Sequence, residues 1–342
     1  LCLAPGLSLL APAAHTGVLL GGADTGIAIG NVRRVHGIRI NWVDADIDFV
    51  NGLNVSLWRP RPSDDGVLRG VQVGVVGMDA DRVWGLTVGL VGHRIARFDG
   101  IGIAGVGFAS GSDWDPEARL RGILVAGIGL GGNDVSGIAI AGLGAGCHDV
   151  RGVLVSGLGA GLHHGRGVLV AGLGFGAHDV DGLVIAGLGA GTHRFTGIGV
   201  AGLGMGTHDF DGIGVAGLGF GTHDFDGIGV AGLGFGSHEM RGILVAGLGI
   251  GGESLRGLAV TVAGFGIDEL HGVAVCIGRL RATDVSGVSL AGFSHVRDET
   301  TGLQLGLLNM TRRLRGVQIG ILNHVADNPA ALRWLPILNA NF

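Results

Sequence analysis

The sequence predicts an all-β protein, a single-chain β-solenoid: a three-sided β-helix with one fifteen-residue repeat per coil. Three observations carry that prediction. One glycine recurs at a fixed step of fifteen, no helical periodicity survives the interleaved glycines, and the apolar parity switches inside each repeat.

The recurring glycine stands at Gly122 and at every fifteenth residue up to Gly302. Upstream the same phase gives Gly37, Gly52, Gly70, Gly85 and Gly100, and downstream it reaches Gly316 after a step of fourteen. Two polar stretches with Pro and Asp break the count, near 60–66 and 110–119, and read as loops bulging from a regular stack. The best copies, such as GIGVAGLGFGTHDFD (212–226), place Gly at every second or third residue, which would melt a helix. Cut into fives, this copy reads as three short sides. Two side chains per side are expected to point inward, Ile213 with Val215, Leu218 with Phe220, and His223 with Phe225. Gly214, Ala216, Gly217, Gly219 and Gly221 are then expected outside, as a smooth, weakly charged face suited to lateral packing.

A coil of this kind cannot bury its core alone, so stability comes from neighbours and the ends need caps. The expected organisation is 1–36 as an N-terminal cap or residual signal segment, 37–316 as the repeat domain, and 317–342 as a C-terminal cap rich in bulky residues. The opening LCLAPGLSLLAPAA resembles the apolar part and A-x-A end of a secretory signal, or else a segment that caps the first coil. An antiparallel outer-membrane β-barrel is the alternative architecture, because fifteen residues also suffice for a spanning strand and a turn, and the chain ends in Phe342. Against it, a barrel strand keeps one apolar face throughout. Tyr is also absent, and Trp42, Trp58, Trp84, Trp114 and Trp334 all lie outside 122–316, so aromatic girdles are missing.

Composition narrows function. Gly accounts for 73 of 342 residues, about three times ordinary usage. Hydrophobic residues are nevertheless 47 %, which separates the chain from disordered Gly-rich linkers. The net charge of −5 and the lack of any basic block argue against a nucleic-acid partner. Cys2, Cys147 and Cys276 fit no disulfide or zinc spacing and read as isolated thiols packed as small apolar side chains.

The most regular polar signal is a histidine ladder: His148, His163, His178, His193, His208, His223 and His238. Five of the seven are followed by an acid. These residues are the candidates for a metal- or pH-responsive array, since neutral imidazole is a metal ligand and adjacent imidazoles resist full protonation together. The structural reading is a corner ladder in which His and Asp satisfy backbone groups. Ligands running in line do not converge into a closed site. Thr192, Thr207 and Thr222 form a shorter ladder beside it. Gly-rich strings such as GLGFG (172–176) lack the strand–loop–helix context of a dinucleotide cradle. No catalytic residue, cofactor or small-molecule substrate is expected.

The segments GIRINWVDADIDFVNGLNVSLW (37–58), GVQVGVVG (70–77), GLQLGLLNMTRRLRGVQIGILNHV (302–325) and LPILNANF at the end resemble bacterial surface repeat-containing proteins, built from tandem GVQIGLxN-type units. The resemblance covers roughly 37–100 and 287–342. In the middle the Gln and Asn of the unit become Gly, Leu or Ala, as in GIGVAGLG. The resemblance implies a secreted, cell-surface or outer-membrane location in a bacterium and no catalysis. The functional expectation is a structural or interaction protein of the envelope, a Gly-rich rod that self-assembles, adheres, or meets another envelope component or the membrane. The integral barrel and the His-ladder array are the alternatives.

Overall fold

The computed structural model describes residues 17–61, 65–110 and 117–342. The proposed signal remnant at 1–14 lies outside these residues, as does most of the insertion at 110–119 and part of that near 60–66. The chain divides into two compact units, Leu1–His163 and His164–Phe342.

Each unit is a β-solenoid of stacked parallel coils. In the second unit a regular coil is a thirteen-residue strand such as Gly204–Ala216 or Gly219–Ala231, joined to the next by a two-residue turn. Neighbouring coils pair parallel and in register, Gly197 to Gly212 to Gly227 to Gly242 and Phe210 to Phe225 to Met240. The first unit keeps the same phase across both insertions, with Gly52 opposite Gly70 and Gly100 opposite Gly122. Parallel pairing at a step of one repeat excludes the antiparallel barrel.

The coil has three sides. Around Gly227 these are Asp224–Asp226, Ile228–Ala231 and Gly234–Ser237 in chain terms, with inward residues Phe225, then Gly229 and Ala231, then Phe235. Corners separate them. The recurring glycine makes the first corner: Gly212 has φ +135°, and a Cβ there would be driven into the carbonyl oxygen of Gly197 in the coil below. Both the dihedral and the close backbone approach demand glycine, which accounts for its strict recurrence. At the second corner, the Gly217–Leu218 turn, Leu218 N–H donates to Leu203 O at 2.7 Å. The third corner lies at the histidine position. There the Thr222 hydroxyl sits 3.0 Å from His208 O and 2.8 Å from Asp224 O, tying one coil to the next.

This arrangement corrects the expected assignment of inside and outside. Phe220 and Phe225 are buried as expected, but Gly214 and Ala216 point inward, whereas Ile213, Val215 and Leu218 stand 40 %, 37 % and 48 % exposed. His223 is exposed as well. Gly217, Gly219 and Gly221 lie outside as expected, Gly217 at the second corner and the other two along a smooth side. The reason is cross-section. Phe195, Phe210 and Phe225 stack at 4.9 and 5.2 Å in one column, and Phe220 and Phe235 at 4.9 Å in a second. The columns meet edge to face, Phe210 on Phe220 at 5.1 Å. Opposite these rings only glycine fits: a Cβ on Gly214 would collide with the rings of Phe220 and Phe210. Five large apolar side chains per repeat exceed what a fifteen-residue coil can enclose, so three of them face out.

Elsewhere the same inward position is filled by complementary size. Leu169 follows Gly165, and Leu154 precedes Ala160. Towards the chain ends it turns polar. In the second unit Ser289, Gln304 and Gln318 occupy it, with Gln318 Nε2 donating to Gln304 Oε1 at 2.7 Å and Gln304 Nε2 to Ser294 Oγ at 2.6 Å. In the first unit it holds Arg39, Asn54, Gln72 and Thr87. Buried Arg39 donates to Asp44 at 2.5 Å, to Asn54 at 3.1 Å and to Asn31 at 2.6 Å.

Each unit carries an antiparallel strand beside a terminal coil. Gly17–Gly21 pairs with Thr25–Gly30, and Trp334–Asn341 pairs with Arg313–Val325 through an irregular register between Gly320 and Asn323. Pro336 lacks a donor and Ile337 has φ +68°, so this outer edge is a poor template for a further strand.

Candidate functional site

The three sides of the coil differ sharply in chemistry, and that difference builds the site. In the coils from Gly167 to Ile267 the stretch from each corner glycine to the residue before the histidine position is uncharged, as in GIGVAGLGFGT (212–222) and GILVAGLGIGG (242–252), whereas the next coil carries Arg279 and Arg281. The charges gather on the short side beyond it, at Asp209 with Asp211, Asp224 with Asp226, and Glu239 with Arg241. One wall is therefore aliphatic, one is nearly bare glycine, and one is ionic.

The aliphatic wall consists of ladders. Ile198, Ile213, Ile228 and Ile243 stack outward in register, with Val215, Val230 and Val245 beside them and Leu203, Leu218, Leu233 and Leu248 at the corner. All but Val200 of this wall's core run between 37 % and 54 % exposed. Towards the C-terminal coils the wall is indented by a groove of about 800 Å³. Buried Ala246, Thr261, Cys276 and Ala291 form its floor, while Val262, Ile277 and Leu307 stand exposed along its margin. Sequence reasoning missed this wall because it assigned its residues to the core. The signal that could have located it was the crowding of five large apolar residues in a fifteen-residue coil.

The histidines form the column expected from their spacing. In the first unit His148 stacks on His163 with ring centroids 4.6 Å apart. In the second, His178, His193, His208, His223 and His238 follow at 4.9, 4.9, 4.8 and 4.3 Å. The rings lie face over face in a row at the exposed third corner. Four of them turn Nδ1 to the acid that follows, His148 to Asp149, His178 to Asp179, His208 to Asp209 at 3.0 Å and His223 to Asp224 at 3.4 Å. Stacked imidazoles present their nitrogens side by side rather than to a common centre, and among the described residues no three His, Cys, Asp or Glu side chains are grouped to hold a metal ion. Thr207 and Thr222 beside them are engaged with backbone carbonyls at that corner.

The remaining reactive groups are sequestered. Burial pushes the Cys147 thiol up to about 12 and the Cys276 thiol up to about 11, so neither is an available thiolate at neutral pH. Cys2 lies outside the described residues. A concavity of about 480 Å³ in the first unit is lined by Arg82, Arg97, Arg119 and Arg121, but Asp99, Glu117 and Asp134 line it too, and Arg97 pairs with Glu117. Three carboxylates thus stand against its four cations.

Comparison with protein-family models, curated proteins and solved structures gave no match.

Proposed function

We propose that this chain is a non-catalytic scaffold of a bacterial cell envelope, a repeat solenoid that works through its aliphatic wall. The observation that carries the reading is the segregation of side chains around the coil. An uncharged face of Ile, Val and Leu ladders is far larger than the few hundred Å² of contiguous apolar surface common on a free soluble monomer. Such a face excludes water against a partner, and the ionic side keeps the opposite surface wetted. The flanking GVQIGLxN-type units point the same way, because their resemblance is to bacterial surface repeat-containing proteins. Within them the outward residues are the aliphatic ones, Val317 and Ile319 around inward Gln318. The flanks and the middle thus share an outer face although their inward residues differ.

Protease treatment of intact source cells, followed by fractionation, tests the location. The chain is expected to be cleaved from outside and to sediment with the envelope. Recovery in the cytosolic fraction, protected in intact cells, would overturn the proposal.

A further inference from the structure

We infer that the partner of the aliphatic wall is a second copy of this chain, packed wall to wall in a two-fold dimer; the inference rests on the wall being the working surface proposed above. Area is the first argument. Within His164–Phe342 about twenty outward aliphatic side chains are between 37 % and 78 % exposed. At roughly 70 Å² each they offer on the order of 1,500 Å², whereas a stable interface needs about 800 Å² per partner. Covering half of the wall suffices.

Shape is the second argument. The groove floored by Ala246, Thr261, Cys276 and Ala291 runs along the coils, and Ile277 projects from its margin at 78 % exposure. A recess and a knob on the same surface are what an isologous contact uses: related by a two-fold axis, each copy seats its margin in the groove of the other. The interaction closes on itself, so it yields dimers rather than an open fibre.

Charge is the third argument. Over the stretches from the corner glycine to the histidine position there is no ion to desolvate between Gly167 and Ile267. Over those coils two identical walls meet no like-charge repulsion, despite the net charge of −5; beyond them Arg279 and Arg281 stand opposite Gly264 and Gly266, on the side after the Ile277 corner rather than on the wall. The contact is apolar, and excluded salts such as sulfate should strengthen it where they would screen an ionic one.

The test is analytical ultracentrifugation of the purified full-length chain, with and without sulfate. A dimer that tightens with sulfate is expected. The double variant Val215→Glu, Val230→Glu should weaken dimerisation at least tenfold with an unchanged far-ultraviolet circular dichroism spectrum. Asp211→Asn with Asp226→Asn, on the ionic side, should leave it unaltered. A second probe, a nitroxide on Ile213→Cys, should report one short inter-copy distance even if the glutamate variant folds poorly. A wild-type chain that stays monomeric at high micromolar concentration overturns the second-copy inference. If that monomer binds phosphatidylcholine vesicles and the glutamate variant does not, the wall remains the working surface with lipid as its occupant. If the glutamate and aspartate variants associate alike, the contact lies elsewhere.

Discussion

Consider exchanging the core of one coil for that of another. Around Phe210 the inward set is Phe210, Gly214 and Phe220; three coils earlier the same positions hold Gly165, Leu169 and Phe175. If cross-section decides which residues face in, Phe210→Gly and Gly214→Leu should each be harmful alone and compatible together. Phe210 touches ring neighbours on three sides, Phe195 at 4.9 Å, Phe220 at 5.1 Å and Phe225 at 5.2 Å. Removing a buried Phe ring costs about 3–5 kcal/mol through lost burial and the cavity left behind. Gly214→Leu drives a side chain into the rings of Phe220 and Phe210, an overpacking cost of about 1–3 kcal/mol or more. Independent effects would sum to about 4–8 kcal/mol. The double variant fills the void left by one change with the excess of the other, so a coupling of about 2–3 kcal/mol in its favour is expected. Its residual loss is set by the broken Phe stack, at about 0.5–1.5 kcal/mol per aromatic pair. Because a repeat stack can open locally, guanidinium unfolding should be paired with hydrogen exchange of the amides between 195 and 225. A double variant as unstable as the sum of the singles would refute the cross-section argument and leave the outward ladders unexplained.

Three further outcomes follow from particular residues. Gly212→Ala places a methyl against the Gly197 carbonyl at φ +135° and should cost several kcal/mol by denaturant midpoint, while Gly221→Ala, with open space around its Cβ, should change stability by about 0.5 kcal/mol or less. His93 is buried with Nε2 3.0 Å from Ile103 O, and burial holds its pKa below the ordinary 6.5, against the opposing pull of that hydrogen bond. The folded state therefore binds fewer protons than the unfolded one. The His93 contribution is intact above pH 6.5 and is lost as pH falls from there through the lowered folded value. His93→Gln should flatten that part of the stability–pH curve relative to the parent chain, and an unchanged difference across pH 5–7 would contradict it. Cys147 and Cys276, with thiols pushed up to about 12 and about 11, should resist Ellman's reagent in the native state and react on unfolding; prompt native labelling at either would show that its coil opens.

The repeat length, the parallel stacking, the three sides and the corner glycine were all legible in the sequence. They depend on period and on backbone constraint, which a fifteen-residue recurrence displays directly. The histidine column was legible for the same reason, since identical residues one coil apart must stack. The inside and outside of the Ile213–Ala216 side were not legible. Alternation marks two faces but does not say which faces in, and the usual rule that large apolar residues go inside holds only while there is room. Phe210 and Phe220 use that room. The inward Gln304 and Gln318 were equally hidden, because a polar residue in a repeat reads as surface until its hydrogen-bonded neighbour one coil away is seen.

One objection to a functional wall is that β-branched residues suit any strand, so the outward ladders could serve the sheet alone. Strand preference does favour Val and Ile, but it favours Thr as well, and cross-strand Thr pairs stabilise a ladder without exposing hydrocarbon. The two outward positions of this side never take that option in any described coil. They run Ile38 and Ile40, Val71 and Val73, Ile101 and Ile103, Ile138 and Ile140, Ile213 and Val215, Val273 and Val275, Val317 and Ile319, with Leu as the only other substitute. Thr occurs at the third corner, at Thr192, Thr207 and Thr222, and inward at Thr87 on this very side. The inward column between the two ladders varies from Arg39 through Gln72, Leu124 and Gly214 to Gln318. A side whose buried residue changes from coil to coil while its exposed residues stay aliphatic is what the proposed contact through that face requires.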